Sequence, residues 1–334
     1  MTNSADVAAK AGVSRSTVSQ ILNGHGHRFK PDMVDHVQKV ARDLGYRPSM
    51  AGRALARGTS DVVITLLPNI SLGPRLRELI DRVTEELAEA GKTNLIRLSS
   101  GDAQIDEAVL ALRPAGLWSP APLTPDQHAR LGKLGVVVVD QPRELQSRID
   151  HEVGAIQAQH LIERGYSAIA VALPEDLREQ PFALAREQGA LHAARAAGVQ
   201  TLPTLRLTLE RNSSASTARL LPESEVGVAA YNDDAAMAIL AAARHAGRDV
   251  PRDIGIIGVD NTSASGVTEP SLTTIDFDVR FSAHEIVRGL LHGAQTMPAD
   301  AFGAVRSLVS IVEGGSTARG RAHVRSTRPI LRQC

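Results

Sequence analysis

From Ser14 to Asn23 the chain reads Ser-Arg-Ser-Thr-Val-Ser-Gln-Ile-Leu-Asn. Arg15, Ser16, Thr17, Ser19 and Gln20 therefore crowd polar side chains into one short stretch, with no acid among them. Hydroxyls and amides of this kind donate to phosphate oxygens, and long forked side chains reach base edges, so the chemistry on offer is nucleic-acid recognition. Charge points the same way once it is divided along the chain. The total is balanced, with 37 Lys+Arg against 37 Asp+Glu. The first sixty residues, however, hold nine Lys/Arg and only four acids, an excess of five positive charges that the remaining residues offset. Such asymmetry suits a nucleic-acid-binding head on a neutral-to-acidic body. Catalytic signatures are missing: there is no G-x-S-x-G, P-loop, complete G-x-G-x-x-G or H-E-x-x-H. His25-Gly-His27 is too small a cluster for a metal site, and a single cysteine, Cys334, excludes an internal disulfide or a Cys-based zinc site. The expectation is a binding protein rather than an enzyme, with no metal and no cofactor.

Three short helical patterns position these side chains. Asn3 or Ser4 can cap a first helix carrying Val7, Ala8 and Ala11; Gly12 can supply the positive φ of a tight turn. Ser14 then caps a second helix with Val18, Ile21 and Leu22 facing inward. Pro31 begins a third, through Met33, Val34, Val37, Val40, Ala41 and Leu44, which Gly45 stops. Small Ala8, turn Gly12 and inward Val18 satisfy the helix-turn-helix constraints. An ordinary αα-hairpin would need only the glycine.

The run Asp6-Val-Ala-Ala-Lys-Ala-Gly-Val-Ser14, followed by Ser16-Thr-Val-Ser19 and Leu22-Asn23-Gly24, resembles the DNA-binding head of the LacI/GalR family of transcription regulators. Asp43-Leu-Gly-Tyr-Arg-Pro48 resembles that family's junction, and Ser49-Met-Ala-Gly-Arg-Ala-Leu55 its hinge helix. The resemblance implies that Arg15, Ser16 and Gln20 read bases and that Thr17, Ser19, Asn23 and His27 contact phosphates. Leu55 would wedge into the minor groove at the operator centre. Gln20 stands where arginine is common, and its amide suits adenine better than guanine. The loop His25–Lys30 is about one residue longer than usual, and Ser4 replaces an apolar residue. A hinge of eight or so residues is too short to be stable alone, so it is expected to order only on specific DNA.

Beyond residue 60, short apolar runs alternate with amphipathic helical stretches. Val62–Leu66, Asn94–Leu98, Gly116–Ser119, Val136–Val139, Ala168–Ala172, Thr204–Leu207, Gly227–Ala230 and Ile254–Val259 read as strands. Helices are expected at Arg75–Ala90, Ile105–Leu112, Asp126–Leu134, Ile156–Arg164, Ala183–Ala197, Ala235–Ala246 and Phe281–Leu291. This rhythm implies parallel sheets covered by helices, over a length sufficient for two sheets with a cleft between them.

The family resemblance implies more: two Rossmann-like parallel-sheet subdomains of periplasmic-binding-protein type, joined by crossings near Arg164, Thr274–Asp276 and Phe302–Arg306. It divides the chain into a helix-turn-helix head (1–46), a hinge helix and linker (47–60), and an effector-binding and dimerisation body (61–318). Subdomain N would take about 61–163 and 277–303, subdomain C about 164–275 and 304–318. A basic, disordered tail (319–334) would complete the chain. By the same resemblance Arg186, Asn232 and Asp260 bind the effector, an Arg fork with Asn and Asp being suited to vicinal hydroxyls or a purine edge. Asn69-Ile-Ser-Leu-Gly-Pro74 lacks the aromatic stretch of many relatives, which leaves Tyr231 and Trp118 as the aromatic candidates for a sugar-type platform.

The whole reads as an all-α helix-turn-helix head plus an α/β body. The expected function is a sequence-specific repressor that binds a pseudo-palindromic, double-stranded operator as a homodimer under control of a small polar, sugar-like effector. The alternative is a DNA-binding regulator or architectural protein whose body has lost ligand control. No apolar run approaches the ~20 residues of a membrane helix. Nothing reads as a secretion signal, so a cytoplasmic location is expected.

Overall fold

The structure is a computed structural model that describes residues 2–46, 60–67, 69, 73–99, 105, 107–176, 178–293 and 305–317. The expected hinge at 49–56, including Leu55, and the basic tail at 319–334 lie outside the described residues.

In the head, α1 (Ser4–Ala11), α2 (Arg15–Gln20) and α3 (Pro31–Asp43) surround a small core of Val7, Val18, Ile21, Val37 and Val40. Each start has a local cause. Asn3 caps α1 in a reciprocal box with Asp6, Ser14 accepts from the Thr17 amide at the start of α2, and Pro31 occupies the first turn of α3. Gly12, at φ 69°, makes the turn between α1 and α2 in a left-handed conformation that side-chain-bearing residues rarely adopt. After Gln20 the chain loosens into a wider turn, Ile21–His25, and a tight one, Gly26–Arg28.

The body begins with β1 (Val62–Leu67), α4 (Pro74–Glu89), β2 (Thr93–Leu98), α5 (Glu107–Leu110), β3 (Gly116–Ser119), α6 (Pro125–Lys133) and β4 (Val137–Asp140). Their strands form a parallel sheet in the order β2-β1-β3-β4. Every residue of β1 is buried, as a strand covered on both faces requires.

Then come α7 (Arg143–Glu163), β5 (Ala168–Pro174), α8 (Gln180–Ala196), β6 (Gln200–Thr201), β7 (Leu205–Leu207), α9 (Ser214–Ala218), β8 (Val226–Ala230), α10 (Asp233–His245), β9 (Ile254–Val259) and β10 (Thr273–Phe277). Helix α11 (Val279–His292) and strand β11 (Val309–Val312) follow. The second sheet runs β11-β10-β9-β8-β5-β6, with β7 also on β5; β11 alone is antiparallel to its neighbour.

The structure departs from the sequence reading at three places. Helix α7 starts thirteen residues before the expected Ile156. Its residues Leu145, Ile149, Val153 and Leu161 join the core of the second sheet, so the crossing expected near Arg164 falls at about 141–142. The crossing expected at Thr274–Asp276 is instead strand β10, hydrogen-bonded to β9 and β11. The chain returns just after it, because Ala283, Ile286, Val287 and Leu290 of α11 pack with Val63, Trp118 and Val139 of the first sheet. Finally, β11 was not anticipated and makes the second sheet mixed rather than wholly parallel.

Candidate DNA-reading head and effector pocket

Helix α2 presents Arg15, Ser16 and Ser19 as exposed side chains, with Thr17 and Gln20 half-buried. Ser14 Oγ lies 2.9 Å from Thr17 Oγ1, and Gln20 Nε2 donates to Ser16 Oγ one helical turn away at 3.4 Å. Arg15 donates to Ser4 Oγ at 3.5 Å. The serine that departs from the family pattern thus steadies the adjacent arginine, a contact that spacing could not foretell. His27 is exposed. Asn23 is placed differently from its neighbours: it is buried, and its amide donates to Ser19 Oγ at 3.1 Å. Any phosphate contact by Asn23 would require that amide to turn outward.

In the body, a cavity of about 250 Å³ opens between the two sheets. Its walls come from the start of α4, the ends of β3 and β4, the first turns of α7 and α8, and the ends of β8, β9 and β10. That is the carboxyl edge of the strands, where open α/β sheets bind ligands. All five expected effector residues, Arg186, Asn232, Asp260, Tyr231 and Trp118, line it. Trp118 also belongs to the first core, at 3% exposure, so the packing and lining roles coincide.

Arg186 is held by a hydrogen-bonded chain along one wall. Gln141 donates to Gln146 at 2.7 Å, Gln146 to Asp150 at 2.6 Å, and Arg186 to Asp150 at 2.5 Å. The same guanidinium donates to the Tyr231 carbonyl and stacks on the Tyr231 ring, 4.7 Å from its centroid; the Tyr231 hydroxyl in turn donates to Glu179 at 2.6 Å. Arg186 Nε is buried with no protein acceptor. Burial opposes the charge on Arg186, but the adjacent Asp150 carboxylate outweighs it and holds the pKa above the usual arginine value. Burial likewise pushes the Tyr231 phenol up.

The arginine reaches Asp150 because α7 and α8 meet backbone to backbone. A Cβ on Gly154 would overlap the Arg186 carbonyl, and one on Gly189 the His151 carbonyl. Two glycines set the helix spacing, and with it the ion pair.

Asn232, rather than Asp233, caps α10, accepting from the Ala235 amide at 2.9 Å. Its side-chain oxygen is thereby engaged in the cap, while the residue also lines the cavity. Asp233 is structural: it accepts from the Thr262 amide at 2.8 Å and the Thr274 hydroxyl at 2.6 Å. Asp260 follows β9 at φ 104°, a strained conformation for a residue with a side chain. Burial pushes its carboxyl up to about 7; Arg186 and Arg75 pull the other way, while Asp233 and Asp234 add to the rise.

Sequence reasoning missed several lining residues. Asp140 ends β4, where a strand-end acid might have been sought; it accepts from the Leu123 amide at 2.7 Å and lies 3.0 Å from His128 Nε2. Phe182 and Phe277 also line the cavity, so four of the chain's nine aromatic residues gather there despite their scarcity overall. Arg75 stacks on Phe277, 4.5 Å from the ring centroid, and pairs with Asp276 at 3.5 Å.

Head, body and cavity define a class: a DNA-binding regulator whose body has the periplasmic-binding-protein plan. Residues 5–49 match the family described as "Bacterial regulatory proteins, lacI family", and residues 158–317 match the "Periplasmic binding protein-like domain". The HTH-type transcriptional repressor CytR of Escherichia coli K12 is 30% identical over 293 residues, covering 81% of this chain and 83% of that protein. Catabolite control protein A of Priestia megaterium is 29% identical over 289 residues, covering 81% and 86%. Among solved structures, the lac repressor dimer bound to operator and the anti-inducer ONPF superposes with a TM-score of 0.75 at 20% identity, covering 95% of this chain and 99% of that one. The complex of the regulator CelR with cellobiose gives 0.57 at 22% identity, covering 95% and 100%. The chain belongs to the LacI family of bacterial transcription regulators. It is not an enzyme. No helix among the described residues is long and apolar enough to cross a membrane.

Proposed function

We propose that this protein is a repressor that binds a two-fold-related, double-stranded operator as a homodimer, under control of a small polar, sugar-like effector in the inter-sheet cavity. DNA reading rests on the acid-free outer face of α2, with Arg15, Ser16 and Gln20 toward base edges and Thr17, Ser19 and His27 toward phosphates. Two heads carried by paired bodies reach half-sites about one helical turn or a multiple apart, which favours an operator with matching symmetry.

One observation carries the effector reading: the cavity is walled by both sheets and lined by Arg186, whose buried Nε has no protein acceptor, and by the strained Asp260. A ligand touching both walls binds their closed and open arrangements with different affinity, and only such a difference couples the cavity to DNA. The test is selection of bound sequences from random DNA, then a metabolite screen on the selected site. Symmetric half-sites and at least one metabolite that changes operator affinity are expected. An asymmetric single site would overturn the dimer reading. A full screen without effect would favour a regulator that has lost ligand control.

A further inference from the structure

The charges around the cavity do not balance. Among the described residues, its lining carries five carboxyl side chains against two guanidinium groups. Both cations are already engaged: Arg186 by Asp150, and Arg75 by Asp276 and the face of Phe277. The acids are served unevenly. Asp140 has the Leu123 amide and His128, and Asp278 accepts from the Phe281 amide as the cap of α11. Glu179 has the neutral Tyr231 hydroxyl. No hydrogen-bond donor among the described residues reaches the half-buried Asp260 carboxylate, which the charges of Arg186 and Arg75 offset only in part. A carboxylate withdrawn from water without a partner is costly, and a cation offsets that cost far better than a hydroxyl does.

The aromatic walls agree with this. Arginines stack on Tyr231 and Phe277 but on neither of the other two aromatic rings of the lining, the half-buried Phe182 and Trp118, of which only 3% is exposed. An aromatic face beside carboxylates attracts an organic cation. The volume of about 250 Å³ falls below the ~300–1,000 Å³ usual for small-molecule pockets, which favours a single ring.

We propose that the effector is a compact ring compound bearing a protonated amine, its ammonium group held by Asp260 and Glu179 and its ring packed against Trp118 and Phe182. This rests on the effector-controlled reading above and narrows its ligand class. Asn232 and Arg186 Nε then serve the hydroxyl or ether oxygens of the same ring, so the site reads an amine at one end and oxygen acceptors at the other.

The experiment uses the full chain and triplets of ring compounds that differ only in amine, hydroxyl or carboxylate at one position: glucosamine, glucose and glucuronate, together with an aminocyclitol and its hydroxyl and carboxylate counterparts. Binding is read from the fluorescence of Trp118, the only tryptophan, and from affinity for the selected operator. An amine member is expected to bind at least ~10-fold more tightly than its counterparts, a factor equivalent to about 1.4 kcal/mol. Asp260→Asn and Glu179→Gln, each first shown to bind operator, should reduce that preference. Hydroxyl members binding as tightly as amines would overturn the cationic class and leave effector control standing. If no member of any triplet alters Trp118 emission or operator affinity, the amine class falls, and the effector reading falls with it only if the full metabolite screen is also without effect.

Discussion

Gln20 stands where the family resemblance would place an arginine, and its amide suits adenine where an arginine fork would suit guanine. Gln20→Ala should relax sequence preference at one base pair per half-site, losing ~1–3 kcal/mol of discrimination; base selection with the variant checks it, and an unchanged preference would remove Gln20 from the reading face. Asp150 and Arg186 offer a different kind of prediction. Asp150→Ala leaves a buried guanidinium without its counter-charge and should cost ~3–5 kcal/mol in a denaturant titration. Asp260 should behave in the opposite way, as a group kept for binding at the expense of stability. Its carboxyl is ionised above about 3.9 in the unfolded chain but only above about 7 in the fold. The penalty is absent below the first value, grows between the two and is complete above the second. Asp260→Asn should therefore gain stability relative to the parent as pH rises from 4 to 7, by roughly 2–4 °C in melting temperature per kcal/mol regained.

At the scale of elements, the α7–α8 contact fixes Arg186 against Asp150. Gly154→Ala or Gly189→Ala forces two backbones apart, an overpacking cost of ~1–3 kcal/mol or more. Melting temperature should fall in both variants, and effector affinity should fall further than the melting temperature alone explains, because Arg186 moves with its helix. The same helix shows why the first crossing was misjudged from sequence. Between Arg143 and Ala155 its buried positions include Asp150 beside Leu145, Ile149 and Val153, and Gln157 follows, donating to the ends of β8 and β9 at 2.7 and 3.1 Å. Buried polar residues disguise an inward face as a solvated one. Strand β10 was obscured for a related reason: Thr273 and Thr274 are fully buried but hydrogen-bonded to Thr317 and Asp233, so a polar stretch forms an inner strand.

Across the whole molecule, the segment 313–317 is tied to the second sheet through Ser316, Thr317 and the buried His160. Burial holds the His160 pKa below its ordinary value. The folded protein then binds that proton less readily than the unfolded chain does, so this contribution to stability is full above about pH 6.5 and fades as pH falls below it. His160→Gln should flatten the fall of melting temperature over that range relative to the parent; equal slopes would show that another group is responsible. Charge at this scale also bears on DNA. The positive excess belongs to the head and to residues 319–334, which carry five arginines and no acid, while the intervening body is acidic. If only the head meets phosphates, deleting 319–334 leaves the dependence of operator affinity on salt unchanged. A slope shallower by ~0.9 per lost contact would assign the tail to DNA.

The sequence by itself determined the head, because its caps, turn glycine and apolar spacing all act within a few residues of the groups they position. It also determined the α/β class of the body, since buried parallel strands leave uninterrupted apolar runs. Five residues that line the cavity were legible from strand ends and family spacing. The balance of charge at the cavity was decided only by tertiary structure. Asp140, Glu179 and Asp260 come from separate turns of the chain, and whether each finds a partner depends on distances set by helix packing and sheet placement. Phe182 and Phe277 are likewise ordinary apolar residues until the fold brings them to one wall.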